Sequence, residues 1–151
     1  MSLTIKELTL ENIDAIKVLF LDIFTKAPWH DDWQDPLQFH DYILDVIGNA
    51  NSLSFGLFDG EEMVGLCLGR LKHWYNGTEY FIDDFGIKTN QQGKGSGSVF
   101  MRLIEEKVKP RGIARLYLIT DRAAPACHFY DKNGFTESQN DVCYKKILTG
   151  L

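Results

Sequence analysis

Cysteine is scarce in this 151-residue sequence, which contains only Cys67, Cys127 and Cys143. The three residues form no Cys-x-x-Cys pair and their number is odd, so they match neither a disulfide framework nor the ligand spacing of a structural zinc site. We therefore expect free thiols and no metal cofactor.

Long apolar runs and an excess of basic residues are absent as well. No stretch approaches the ~18 to 20 apolar residues of a membrane-spanning helix, and the N-terminus has no basic segment followed by an apolar signal core. The 16 Lys and Arg against 21 Asp and Glu give a net charge of −5, whereas a nucleic-acid-binding domain typically presents a basic patch. We therefore expect a cytoplasmic protein with no membrane or nucleic-acid partner, whose acidic surface favours cationic partners.

The length and composition are those of one globular domain. Apolar residues make up 44% and charged residues 25% of the chain, which excludes disordered and fibrous classes. A chain of this length can bury a core but is too short for separate cofactor and substrate domains. We therefore expect residues 1–151 to form a single domain with one site.

Periodicity predicts a mixed α/β (α+β) domain with the order β-α-α-β-β-β-α-β-α-β-β. Segments with apolar residues at helical spacing are interspersed with short runs in which apolar and polar residues alternate, as in strands. Asp-Gly and Asn-Gly pairs mark two hairpin turns. The Asp35-Pro36 pair is typical of a helix start. The predicted elements occupy residues 4–8, 13–23, 36–47, 53–57, 63–71, 79–87, 98–108, 114–120, 125–133, 135–139 and 142–147.

A glycine-rich loop, Gln92-Gly93-Lys94-Gly95-Ser96-Gly97, separates the strand that ends at Ile87 from the next helix. Three glycines within five residues allow a tight turn with inward-pointing N–H groups, and the helix N-terminus adds unpaired amides and the positive end of a dipole. These features suit a pyrophosphate group. The spacing G-x-G-x-G differs from that of a P-loop and from that of a dinucleotide-binding fingerprint.

The pattern Q-x-x-G-x-G from Gln92 to Gly97 resembles the coenzyme A pyrophosphate loop of the GNAT acetyltransferase superfamily, R/Q-x-x-G-x-G/A. A second motif, Phe129-Tyr130-Asp131-Lys132-Asn133-Gly134-Phe135, resembles the family's later L/F-Y-x-x-x-G-F signature. The resemblance covers the chain from Ile5 to Leu148. It implies a mostly antiparallel central sheet of about seven strands flanked by four helices.

The resemblance also implies acetyl-coenzyme A as co-substrate. Its pyrophosphate would lie at Gln92, Gly93, Lys94, Gly95, Ser96 and Gly97, with the charge of Lys94 beside the phosphates. The strand end Phe85-Gly86-Ile87 would diverge from its neighbour, which leaves backbone groups to pair with the pantetheine arm and to polarise the thioester carbonyl.

Two groups are candidates for the proton transfers of such a reaction. Tyr130 occupies the family's tyrosine position, which implies an acid that protonates the thiolate of coenzyme A; the alternative is a ring that only packs. Asp84, three residues before Ile87, corresponds to the general base of several small-molecule GNAT enzymes; the alternative is a structural carboxylate. Asp83 is the second candidate, because strand alternation sends the two carboxylates to opposite faces.

Aromatic and acidic residues mark a candidate acceptor site. Trp29, Asp31, Asp32 and Trp33 lie between the first two predicted helices, and Trp74 precedes the second hairpin turn. Aromatic rings beside carboxylates suit an organic cation, although the indoles could instead pin the loop onto the core. This arrangement loosely resembles the aminoglycoside N-acetyltransferase-like branch of the family and implies a small amine acceptor.

The sequence therefore predicts an acetyl-coenzyme A-dependent N-acetyltransferase that transfers an acetyl group directly to a primary amine of a small, cationic acceptor. Two alternatives stay open: a non-catalytic acyl-coenzyme A-binding sensor or scaffold, and a protein or peptide N-acetyltransferase. The identity of the acceptor and the formation of a homodimer are open as well.

Overall fold

One five-stranded sheet forms the centre of the computed structural model, which describes residues 2–150. The strands are β1 Leu3–Glu7, β2 Phe55–Asp59, β3 Glu62–Trp74, β4 Gly77–Ile87 and β5 Ile113–Leu118; the helices are α1 Ile13–Phe24, α2 Pro36–Val46, α3 Ser96–Val108 and α4 Ala126–Lys132. The strands lie side by side in chain order, antiparallel except for the parallel pair β4 and β5. The predicted mixed, mostly antiparallel α/β fold with four helices is confirmed.

Local signals define the ends of α2. The Asp35 carboxylate accepts hydrogen bonds from the backbone N–H groups of Leu37 at 3.0 Å and Gln38 at 3.3 Å, and Pro36 occupies the first turn. Just after the helix, Gly48 adopts a left-handed conformation with φ +84°. The helix start that Asp35-Pro36 predicts is therefore confirmed.

The sheet carries a hydrophobic core on each face. On one face, α1 and α2 bury Phe20 and Ile43 against Leu66 and Leu68 of β3. On the other face, α3 packs against the sheet, and α4 contributes partly buried rings at the edge of the same core. Full burial of one such side chain contributes ~1.5 to 3 kcal/mol. The second core contains Leu57, Cys67, Tyr80, Ile82, Ile87, Phe100 and Ile104.

The two closing strands predicted at 135–139 and 142–147 do not form, and the prediction of about seven strands was wrong. Within residues 2–150, β5 is the last strand and lies at the edge of the sheet. The segment after α4 instead bends, and the Ser138 and Tyr117 hydroxyls both donate to Asp141 Oδ2, at 2.6 Å and 2.7 Å. Local polar bonds thus replace ladder bonds, and a cavity of about 930 Å³ lies between β5 and this segment.

None of the helices within residues 2–150 is long and apolar enough to cross a membrane.

Candidate active site

Strands β4 and β5 pair along only part of their length. The parallel ladder joins residues 78–82 of β4 to residues 113–118 of β5 and ends at Ile82 and Leu118. Strand β4 continues to Ile87, still paired with β3 through Gly65 and Leu66. Backbone groups of residues 83–87 therefore have no partner in β5 at the edge where the ladder ends.

The glycine-rich loop follows this unpaired end of β4. The Gln92 side-chain N–H donates to the Ile87 carbonyl at 2.9 Å, which ties the loop to the strand. Gly93 and Gly95 have φ +77° and +79°, and Gly95 caps α3 without a side-chain hydrogen bond. A methyl group at either glycine would meet no atom within 4 Å. The loop is therefore open, and the first amides of α3 have no acceptor within the helix.

Gly97 has a different role from the other two glycines. A Cβ at this position would lie 2.9 Å from Cε1 of Phe129 in α4, so the missing side chain permits the close approach of α3 and α4. The Phe129 ring in turn stacks on Phe85 of β4, with ring centroids 5.5 Å apart. These contacts place Tyr130, the next residue of α4, beside β4.

A second cavity of about 390 Å³ lies where β4 and β5 diverge. Four carboxylate residues contribute to its wall, and none of its lining residues is Lys or Arg. The lining comprises Phe24, Trp29, Asp31, Ile82, Asp83, Asp84, Phe85, Leu118, Ile119, Thr120, Asp121 and Tyr130. The cavity therefore favours a cation, with aromatic rings and carboxylates both within reach.

A β-bulge determines how Asp83 and Asp84 are presented. Leu68 pairs with Asp84 whereas Gly69 pairs with Ile82, so Asp83 is the extra residue on β4. The expectation that alternation sends the two carboxylates to opposite faces was wrong, because the bulge interrupts the alternation and both residues line the same cavity. Their side chains nevertheless have different partners.

Asp83 forms a bidentate ion pair, whereas Asp84 is partly buried and has a neutral partner. The Arg70 Nε and Nη2 groups donate to Asp83 at 3.1 and 3.2 Å. The Tyr42 hydroxyl of α2 donates to Asp84 Oδ2. Burial raises the pKa of Asp84 to about 7, with further increases from the charges of Asp83 and Asp31 and an opposing decrease from the Tyr42 hydrogen bond. A carboxylate that titrates near neutral pH is suited to general base catalysis.

Tyr130 lines the same cavity. Its ring packs edge-on against Phe129 and Phe135, with centroids 5.3 Å away in each case. Burial, followed by the nearby Cys67 and Asp84, raises the pKa of the Tyr130 phenol above its usual value. The phenol therefore keeps its proton at neutral pH and can donate it to a strong base such as a thiolate.

The model of the Acetyltransferase (GNAT) family matches residues 13–135. The chain belongs to the GNAT family. It is 29% identical over 94 residues to the mycothiol acetyltransferase of Corynebacterium glutamicum, a match that covers 60% of this chain and only 30% of that protein. The chain thus spans about a third of the length of the curated relatives it matches.

Solved structures with the same fold include two acetyltransferases. A possible acetyltransferase from Clostridium difficile superposes with a TM-score of 0.81 at 11% identity, covering 99% of this chain and 100% of the other. An aminoglycoside acetyltransferase from an uncultured soil metagenomic sample, in complex with sisomicin, gives a TM-score of 0.75 at 18% identity, with 97% of each chain covered. These neighbours share the fold of this GNAT protein.

Of the predicted acceptor-site residues, Trp29 and Asp31 line the 390 Å³ cavity, whereas Asp32, Trp33 and Trp74 do not. Trp33 stacks on Tyr42 at 5.2 Å and meets Phe20 edge-on at 5.7 Å, which is the packing arrangement that the sequence left open. Asp32 accepts a hydrogen bond from the backbone N–H of Gln34 at 3.2 Å and is exposed.

Trp74 lies at the opposite end of β3. It pairs with Gly77 at the hairpin turn, six residues and therefore ~20 Å from Leu68, which pairs with Asp84. Its exposed ring carries the Lys72 ammonium group 4.2 Å from the centroid. The structure does not bring Trp74 to the cavity.

The sequence analysis did not identify Tyr42 as a site residue or Asp121 as a binding residue. Tyr42 neighbours Phe39 and Ile43 on the buried face of α2, where periodicity predicts a core residue. The signal for Tyr42 was a hydroxyl group on an otherwise apolar face.

No group of three or more His, Cys, Asp or Glu residues within 2–150 could hold a metal ion.

Proposed function

We propose that this GNAT protein uses acetyl-coenzyme A to acetylate a primary amine of a small, cationic acceptor. The observation that carries the proposal is that Asp84 and Tyr130 line one cavity, where partial burial raises the pKa of the Asp84 carboxylate to about 7. A base for the incoming ammonium and an acid for the departing thiolate would thus border one space.

The glycine-rich loop is suited to hold coenzyme A. The backbone at Gly93 and Gly95 is open, and the N-terminal amides of α3 can bind a pyrophosphate. Residues 83–87, beyond the end of the β4–β5 ladder, offer backbone groups to the pantetheine arm. The bound co-substrate supplies an acetyl group activated as a thioester.

The proton transfers follow from the two side chains. Asp84 accepts a proton from the acceptor ammonium, directly or through a water molecule, and so frees the lone pair that attacks the thioester carbonyl. The N–C bond forms, the C–S bond breaks, and Tyr130 donates its proton to the departing thiolate. The raised pKa of Tyr130 suits this donation, because the phenol stays protonated until the thiolate develops.

The cavity chemistry supports a cationic acceptor. Asp31, Asp84 and Asp121 line the cavity without a Lys or Arg among the lining residues, and Arg70 balances the charge of Asp83. Trp29 adds an aromatic face. Aminoglycosides, the substrates named for one structural neighbour, are polycationic amino sugars and are consistent with such a site.

Release of free thiol from acetyl-coenzyme A tests the proposal. We expect turnover with small cationic amines, such as aminoglycosides or polyamines, and little turnover with peptide amines or neutral amines. Coenzyme A binding without turnover of any amine would indicate a non-catalytic binding module, and preferred turnover of peptides would indicate a protein acetyltransferase.

The pH dependence gives a second test of the base. Because the base works only when ionised, kcat should fall as the pH drops below about 7. In Asp84→Asn this limb should disappear, with the largest loss of rate above pH 7, where wild-type Asp84 is ionised and the acceptor amine is still protonated. Asp45→Asn, which changes an exposed carboxylate of α2, is the matched control. Full activity of Asp84→Asn across this range would exclude Asp84 as the base.

A further inference from the structure

Tyr42 makes a specific contact with the candidate base. Its hydroxyl donates a hydrogen bond to Asp84 Oδ2, across 42 positions of the chain. Within residues 2–150, no other side chain or backbone group donates to this carboxylate. The bond therefore engages one carboxylate oxygen and leaves Oδ1 available to an incoming ammonium group.

The ring that carries this hydroxyl is held by packing. Tyr42 stacks on Trp33, with centroids 5.2 Å apart and an interplanar angle of 27°, and meets Phe20 edge-on at 5.9 Å. The Asp35 cap fixes the start of the helix that presents the ring. A hydroxyl on a packed aromatic ring has little freedom to turn away from its acceptor, so the contact is preorganised.

We propose that Tyr42 is a positioning residue, which orients the Asp84 carboxylate and stabilises its ionised form for acetyl transfer. The proposal rests on the role of Asp84 in the proposed function. Tyr42 would not exchange a proton with the acceptor itself, because burial and the charge of Asp84 raise the pKa of its phenol well above the usual value.

The balance of charges around Asp84 makes this contact important. Burial and the neighbouring Asp83 and Asp31 favour the protonated form, and the Tyr42 hydrogen bond is the one contribution that favours the ionised form. Without it, the carboxyl group would be protonated over a wider range of pH and could not accept a proton there.

The other groups near Asp84 cannot replace Tyr42. Burial raises the pKa values of Cys67 in β3 and Tyr130 in α4, and the charge of Asp84 raises both further, so both remain neutral near pH 7. Arg70 of β3 is engaged with Asp83.

Tyr42→Phe removes the hydroxyl and keeps the ring. We expect the pKa of Asp84 to rise by about one unit or more, because a hydrogen bond to a charged group is lost. The ionised fraction at pH 7 would fall from about half to about a tenth, so kcat would fall about fivefold from this effect alone. Any loss that persists at pH 9 would report lost orientation, and the acceptor KM should change little.

Carbon-13 NMR titration of the Asp84 carboxyl group measures the first effect, and the pH profile of kcat measures the second. The matched control is Tyr117→Phe, which removes another tyrosine–aspartate hydrogen bond, from Tyr117 to Asp141 at 2.7 Å on the surface. We expect the midpoint for Asp84 and the acid limb of kcat to move to higher pH in Tyr42→Phe only. An unchanged or lower pKa of Asp84 in folded Tyr42→Phe would overturn the proposal.

The NMR titration requires no turnover. A protein that acetylates no amine would contradict the proposed function, while the titration would still decide whether Tyr42 controls the ionisation of Asp84. Wild-type protein provides a second test if Tyr42→Phe does not fold. The Cζ resonance of Tyr42 should titrate with the same midpoint as Asp84, because the phenol donates most strongly to the ionised carboxylate. The absence of such an inflection would equally overturn the proposal.

Discussion

Gly95→Ala should weaken coenzyme A binding far more than it destabilises the fold. Gly95 has φ +79° at the start of α3, and an added methyl group would meet no atom within 4 Å. The substitution therefore introduces backbone strain without a steric clash. For a residue other than glycine, this left-handed conformation costs about 1 to 2 kcal/mol.

The strain has two measurable consequences. In a protein of this size, about 1 to 2 kcal/mol lowers Tm by roughly 2 to 8 °C. If the loop relieves the strain by changing φ, the amides of residues 95–97 would change direction and lose hydrogen bonds to the pyrophosphate that we propose they bind. Loss of two hydrogen bonds to a charged phosphate, at about 1.5 kcal/mol or more each, would raise the Kd for coenzyme A by at least about a hundredfold.

Gly60→Ala is the matched control for this experiment. Gly60 lies in the turn between β2 and β3, has φ +62°, and would also place its methyl group more than 4 Å from any atom. We expect similar losses of Tm in both variants by calorimetry, and weaker coenzyme A binding by isothermal titration only in Gly95→Ala. An unchanged Kd in folded Gly95→Ala, or an equal loss in Gly60→Ala, would refute the assignment of the loop.

Three further substitutions or deletions give distinct outcomes. Tyr130→Phe should lower kcat by roughly ten- to a thousandfold with unchanged affinity for coenzyme A, and retained turnover would return Tyr130 to a packing role. Trp29→Ala should mainly raise the acceptor KM, because its ring lines the cavity; an unchanged KM would remove it from the acceptor site. Truncation after Asp141 should change Tm by less than about 2 °C, since Val142 and Tyr144 are 74% and 91% exposed; a larger loss would indicate that the segment packs as a strand.

The elements that the sequence predicted correctly are those specified by local chemistry. Helix α2 starts where Asp35 and Pro36 place it, because a cap needs only neighbouring residues. The prediction of two closing strands was wrong for the opposite reason. Alternation at residues 142–147 is a local pattern, whereas a strand also needs a backbone partner, which residues 2–150 do not provide at the edge of β5.

In the candidate site too, local motifs predicted some residues, whereas features that depend on strand pairing could not be predicted. The motifs led to Asp84 and Tyr130, because each stands at a fixed spacing from a glycine loop or a Gly-Phe pair. They could not predict that Asp83 would be the extra residue of a bulge. A bulge is a property of two paired strands, and here it depends on the register of Leu68 and Gly69 against β4.

The bulge and the partly buried Asp84 carboxylate are both unfavourable for stability, and they occur together. The bulge interrupts the β3–β4 ladder and turns Asp84 toward α2, where burial disfavours its charge. An apolar residue at position 84 would pack there without the cost of burying a charge. A residue that is unfavourable for stability is expected where function requires it. Here the aromatic rings of Phe20 and Trp33 pack against Tyr42, whose hydroxyl group bonds to Asp84. The tryptophan that the sequence suggested as an acceptor contact therefore supports, in the structure, the tyrosine that holds the candidate base.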